Sequence, residues 1–199
     1  MTDFDDVPVE DLAYAKRQLL QSSMRLSQIK NEYHLADEDA KPDEISSDDL
    51  NEIMLEIGPE VVISDCQVCV ELSAKAIFKS VGVNPPQHHD IEFTDNRVKG
   101  LLSSLEKDYD EIEEIYRVLF LTQFWERFYT LAKYGAPEQN IPSSSFMDPR
   151  DAKRAVDDAE FCLDTAMNLH DYVLDQKEMS LDDFDFDLYL DIETIDPHS

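Results

Sequence analysis

Apolar residues recur every three or four positions through most of this chain, and that period predicts helices. The first is expected over Val7–Tyr33, with Leu12, Ala15, Leu19, Ser23, Leu26, Ile29 and Tyr33 on one stripe. A short capped helix is expected over Ser47–Ile57, with Leu50, Ile53, Met54 and Ile57 on one side. Pro59–Gly82 is the most apolar segment and reads as a helix buried on several sides. Asp95–Lys107 and Asp108–Tyr134 read as two helices or as one with a kink. In the second of these, Ile112, Ile115, Val118, Leu119, Phe124 and Phe128 form a wide apolar face. The last helix is expected over Pro149–Gln176, about 40 Å long. Its stripe is Ala152, Val156, Ala159, Leu163, Ala166, Leu169 and Val173, and the small residues at each turn let a neighbouring helix approach closely.

The punctuation agrees with this division. Asp148-Pro149 is a cap followed by proline at the first helical position. Gly58, Gly82 and Gly135 each follow a segment of helical period, where C-terminal stops fall. The expected fold is therefore all-α, an antiparallel up-and-down bundle of four to five helices over residues 1–177, with an acidic insertion at about 35–49.

After Lys177 the period changes. Phe184 to Glu193 reads Phe-Asp-Phe-Asp-Leu-Tyr-Leu-Asp-Ile-Glu, alternating apolar and mostly acidic residues with a period of 2. Phe184, Phe186, Leu188, Leu190 and Ile192 fall on one side of such a segment. Residues 178–199 are read as an acidic tail that pairs with another chain, lies extended in an apolar groove, or stays free in solvent.

The charge sharpens the picture. The 199 residues include 45 acidic and 17 basic side chains, for a net charge of −28. The stretch Asp37–Asp49 has 7 acidic residues and one lysine, and 8 acidic and no basic residues follow Lys177. Acidity this widespread fits adaptation to high salt; an acidic nucleic-acid mimic is the competing reading. It also opposes approach to nucleic-acid phosphates and acidic membranes. No run approaches 18 apolar residues, and the N-terminus has no apolar leader, so a cytoplasmic protein without a membrane span is expected. An apolar fraction of 42% suffices for a core.

Few residues suggest chemistry outright. Cys66-Gln-Val-Cys69 places two sulfurs on one side of an apolar helix, but a zinc site needs two more ligands, and only Cys162 is on hand across the bundle. Buried cysteines acting as small hydrophobes are the expectation. Trp125 and Tyr129 are expected in the core. There is no glycine-rich phosphate loop, nucleophile elbow or HExxH. Neither a metal nor a cofactor is expected.

A spaced set of residues resembles one family. The set is Glu71-Leu-Ser-Ala-Lys75, then His89-Asp90, then Arg127, Lys133-Tyr134, and Asp148-Pro-Arg-Asp-Ala152 opening the last helix. In order and interval these resemble the HEPN family, the small helical domain of prokaryotic and eukaryotic nucleotide-binding proteins, over about residues 8–175. The resemblance implies ligand-binding candidates at Glu71, Lys75, His89, Asp90, Arg127, Lys133 and Tyr134. The residues alone allow plainer roles. Glu71 and Lys75 make an ordinary i,i+4 pair when exposed. His89 and Asp90 cap the following helix. Arg127 either binds phosphate or pairs with Glu126 or the last helix. Relatives often carry Arg-Tyr where this chain has Lys133-Tyr134, and lysine lacks the bidentate fork.

Catalytic members of the family are RNases that use Arg followed four to six residues later by His, with the His acting on the 2′-hydroxyl and the Arg on the phosphorane charge. Here Arg25 precedes His34 by nine positions and Arg154 precedes His170 by sixteen, and no arginine stands at that spacing before any histidine. The resemblance thus implies a non-catalytic binding or regulatory subunit. It also implies homodimerisation and a nucleotidyltransferase partner in a toxin–antitoxin or defence setting. Two alternatives stand beside it. One is an RNase with a displaced site, such as Arg127 of one subunit facing His170 of another. The other is an interaction module acting through the tail.

Overall fold

The computed structural model describes residues 4–32, 58–86, 91, 94–106 and 109–179. Among them are five α-helices: α1 (Val9–Glu32), α2 (Pro59–Ser80), α3 (Asn96–Leu105), α4 (Ile112–Tyr134) and α5 (Pro149–Gln176). No β-strand occurs among the described residues; the nearest thing is an isolated antiparallel bridge between Ala136 and Ile141. The expected helix at Ser47–Ile57, the insertion and the tail lie outside the described residues.

Cross-helix contacts fix the directions. Lys79 Nζ meets Asp11 at 2.7 Å and Arg25 meets Asp65 at 3.6 Å, so α1 and α2 run antiparallel. Lys30 pairs with Glu160 while Lys177 reaches the Phe4 and Asp5 carbonyls, so α1 and α5 are antiparallel. Glu114 meets Thr165 and Trp125 meets Asp158, so α4 and α5 are antiparallel too. α2 and α5 therefore run parallel as the central pair, and both pack on α1 and α4. Ala74 and Ala76 on α2, and Ala152, Ala155, Ala159 and Ala166 on α5, are fully buried. Such small side chains let two helix backbones approach closely.

Every residue of the expected α5 stripe is buried, and α5 spans the expected residues. Asp148 accepts from Arg150 N (2.7 Å) and Asp151 N (3.1 Å), while Asp151 accepts from Asp148 N (3.0 Å), a complete capping box. One detail differs from expectation. The buried serine of α1 is Ser22, not Ser23: it reaches across to α2, donating to the Cys69 carbonyl at 3.1 Å and lying 3.2 Å from Ser73 Oγ. Gly58 stands at the N-cap position of α2, followed by Pro59 at N1; the helix expected before it lies outside the described residues. The segment over 95–134 is two helices, α3 and α4, the first of the two forms expected. Gly135 does end α4, with φ of +62°, and a Cβ there would come within 2.5 Å of the Ile141 carbonyl oxygen.

The capping box gives a direct stability test. Asp148→Ala is expected to lower the unfolding free energy by about 1 kcal/mol, read as a shift in denaturation midpoint with an unchanged slope.

Candidate functional site

The expected site residues separate into two described groups. Glu71 and Lys75 form an ion pair at 2.6 Å on α2. The pair is not exposed: Glu71 is buried, and Gln67 Nε2 also approaches its second oxygen at 3.5 Å. A buried carboxylate requires its partner, which makes Lys75 a structural residue as well as a candidate ligand. His89 and Asp90 lie outside the described residues.

The second group is on α4. Arg127 is exposed and makes no ion pair among the described residues. Lys133 is exposed; its Nζ donates to Tyr129 Oη at 2.7 Å and sits over the Tyr129 and Tyr134 rings at 5.1 and 5.5 Å. The Tyr129 hydroxyl, foremost, holds the Lys133 ammonium above its ordinary pKa. Tyr134 is 60% exposed. The two groups stand on different helices, α2 and α4.

Sequence reading missed the surface on which Arg127 and Tyr134 stand. Tyr116, Phe120, Leu131 and Tyr134 are exposed large apolar residues on α4. With Phe124 and Arg127 they follow helical spacing along the face opposite the buried Val118, Trp125 and Ala132. Its rings touch: Phe120 and Phe124 are 6.1 Å apart, Phe124 and Phe128 4.8 Å. Two arginines lie over this surface, Arg117 at 5.5 Å from the Phe120 ring and Arg154 of α5 at 5.2 Å from that of Phe124. Both also pair with Asp158, at 3.6 and 3.7 Å, and Asp158 accepts from Trp125 Nε1 at 3.0 Å. The signal was legible as a second stripe opposite the core stripe of the same segment.

His170 is fully buried, shares a 3.2 Å hydrogen bond with Ser80 through Nδ1, and its Nε2 has no partner among the described residues. So placed, it offers no exposed ring nitrogen to Arg127 of another subunit. Arg154, sixteen residues before it on the same helix, is about 24 Å away along the axis. Cys66, Cys69 and Cys162 are buried and free. Burial raises all three thiols, Cys69 to about 12, so none is a nucleophile near neutral pH. Trp125 is buried as expected, and Tyr129 is half-buried.

A shallow groove of about 610 Å³ is lined by Tyr109, Asp110, Glu111, Asn168, Asp171, Tyr172 and Asp175. Its carboxylates make it hostile to phosphate. Among the described residues no group of three or more His, Cys, Asp or Glu side chains could hold a metal ion, and no helix is long and apolar enough to cross a membrane.

These features define a helical-bundle domain whose notable surface is aromatic and basic. The sequence model of the HEPN domain matches residues 46–172, and the chain belongs to the HEPN family. No curated protein and no solved structure matches it.

His170 sets a pH dependence. Burial, and next Lys16, lower its pKa from 6.5 to about 4. The unfolded chain therefore takes up a proton near pH 6.5 that the folded chain refuses until about pH 4, so this contribution is present above pH 6.5 and is lost as pH falls through that window. Wild-type stability is expected to drop by about 3 kcal/mol relative to His170→Leu between pH 7 and 4, as measured by denaturant titrations of both proteins across that range.

Proposed function

We propose that this HEPN protein is a non-catalytic binding or regulatory subunit. It works with a protein partner, a nucleotidyltransferase in a toxin–antitoxin or defence setting, and contacts its ligand or partner through α4. The observation that carries this reading is the exposed stripe Tyr116, Phe120, Arg127, Leu131 and Tyr134. Large aromatic residues with an unpaired arginine among them are what interfaces use as anchors. The burial of His170 and the lack of the Arg-x(4–6)-His spacing support the non-catalytic part. Glu71 and Lys75, with His89 and Asp90, are a second candidate ligand site at α2 and the loop after it. Nucleotide is the ligand class the family name suggests; the −28 charge disfavours direct binding of long nucleic acids. Homodimerisation belongs to the same proposal, and Leu20 and Met24, exposed on α1, offer an apolar surface for it. A cytoplasmic location and adaptation to salt complete the reading.

The test is affinity capture at molar salt followed by mass spectrometry, with a metal-free RNA cleavage assay on the same preparation. A specific nucleotidyltransferase partner, intact RNA, and partner retention reduced roughly 5- to 30-fold by Arg127→Ala or Tyr134→Ala are expected. RNA cleavage that Arg127→Ala abolishes would overturn the non-catalytic reading.

A further inference from the structure

We infer that the outer face of α4 is the interface of a two-fold dimer, in which α4 of a second copy of this chain lies antiparallel against it. The inference rests on α4 as the binding face and names what that face holds.

The order of residues along α4 is self-complementary. From Glu113 to Tyr134 the outward positions recur three or four apart, with a mean of about 3.5, the spacing of a seam between paired helices. An antiparallel copy centred between Gln123 and Phe124 sets Glu113 opposite Tyr134, Tyr116 opposite Leu131 and Phe120 opposite Arg127. A two-fold axis makes each of these contacts twice. The Tyr134 hydroxyl donates to the Glu113 carboxylate, Tyr116 and Leu131 bury apolar surface against each other, and the Arg127 guanidinium reaches the Phe120 ring. All six side chains are exposed in the single chain. Phe124, half-buried, stands at the axis.

Charge selects both the face and the direction. Asp110, Glu111 and Glu113 stand at the start of α4, and Arg127 and Lys133 near its end. A parallel pair sets acid against acid. An antiparallel pair sets the acidic start of each helix beside the basic end of the other. Two chains of charge −28 repel over most of their surfaces. On this face Arg117 and Arg154 pair with Asp158, and Arg127 balances Glu113, so two copies meet here without excess acid on either side. The other apolar surface open to a second copy, Leu20 and Met24 on α1, offers two aliphatic side chains one turn apart. It lacks the aromatic and arginine anchors that α4 presents.

A protein partner held through α4 then meets two copies at once, and loss of capture in Arg127→Ala follows from loss of the dimer.

The test uses the full-length chain at about 1 M salt, where the screening length is about 3 Å. Light scattering gives the mass, and sedimentation equilibrium gives the dissociation constant. A dimer is expected, weakened at least about tenfold by Arg127→Glu and unchanged by Met24→Glu. Circular dichroism checks that both variants keep their helices. Register is read with two tagged chains, Glu113→Cys and Tyr134→Cys, which leave Phe120 and Arg127 in place; the native cysteines are buried. On mild oxidation the mixed disulfide is expected to form at least about tenfold faster than the disulfide of either variant with itself. A wild-type monomer, a dimer dissolved by Met24→Glu but not by Arg127→Glu, or crosslinking without preference for the mixed pair would overturn the proposal. The measurement needs no second protein. A dimer through α4 with nothing captured removes the subunit reading alone, and capture by a monomer removes this inference alone.

Discussion

The structure depends on burying one helix from several sides. α2 presents Val62, Ile63, Val70, Ala74, Ile77 and Phe78 to the interior, and α1, α4 and α5 all pack on it. A helix so covered keeps only a narrow wet edge, at Val61 and Asp65, so the polar residues it buries must be satisfied locally. Ser73 bonds the Cys69 carbonyl at 2.9 Å and meets Ser22, Ser80 meets His170, and Glu71 meets Lys75. Small hydroxyls serve well here because they fit between close helices and turn to whichever acceptor is present.

The charge excess shapes everything outside that core. Most described basic residues are taken up by acidic neighbours, as in Arg25–Asp65, Lys30–Glu160, Lys79–Asp11 and Lys153–Asp157. The exposed pairs among them, Arg25–Asp65 and Lys153–Asp157, add little to stability. What they do is leave few cations uncommitted, and Arg127 is one that stays so. Self-repulsion from the remaining acids grows as salt is removed, since the Debye length rises from about 3 Å at 1 M to about 30 Å at 0.01 M.

The bundle was legible because its helices are long and their apolar stripes regular; α5 could be bounded to the residue by Asp148-Pro149 and its alanine pattern. Errors arose where several placements satisfy the same period. Ser22 and Ser23 both border the α1 stripe, and only the position of α2 selects Ser22. The site was less legible. Glu71–Lys75 looks identical in sequence whether exposed or buried, and its burial follows from the packing of α2. The α4 face went unread because attention to the core stripe, Ile112 to Phe128, passes over Tyr116 and Phe120, which stand on the other side of the helix. Phe120, 46% exposed one turn from Phe124, shows that α4 has two apolar sides.

The family match begins at residue 46, after α1, yet α1 is part of the folding unit. Leu12, Ala15, Leu19, Leu26 and Ile29 are buried, and Ser22 supplies the hydroxyl that reaches the Cys69 carbonyl. Without α1, the side of α2 bearing Cys69 and Ser73 would face water, and Lys79 would lose Asp11. Lys177, just beyond the matched span, ties the end of α5 to the Phe4 and Asp5 carbonyls. The segment that defines the family is thus shorter than the segment that closes the core. α4, by contrast, lies wholly inside the match and still turns an aromatic side outward. An element that contributes to the core on one face and leaves rings exposed on the other is where this fold has surface to give to a binding role.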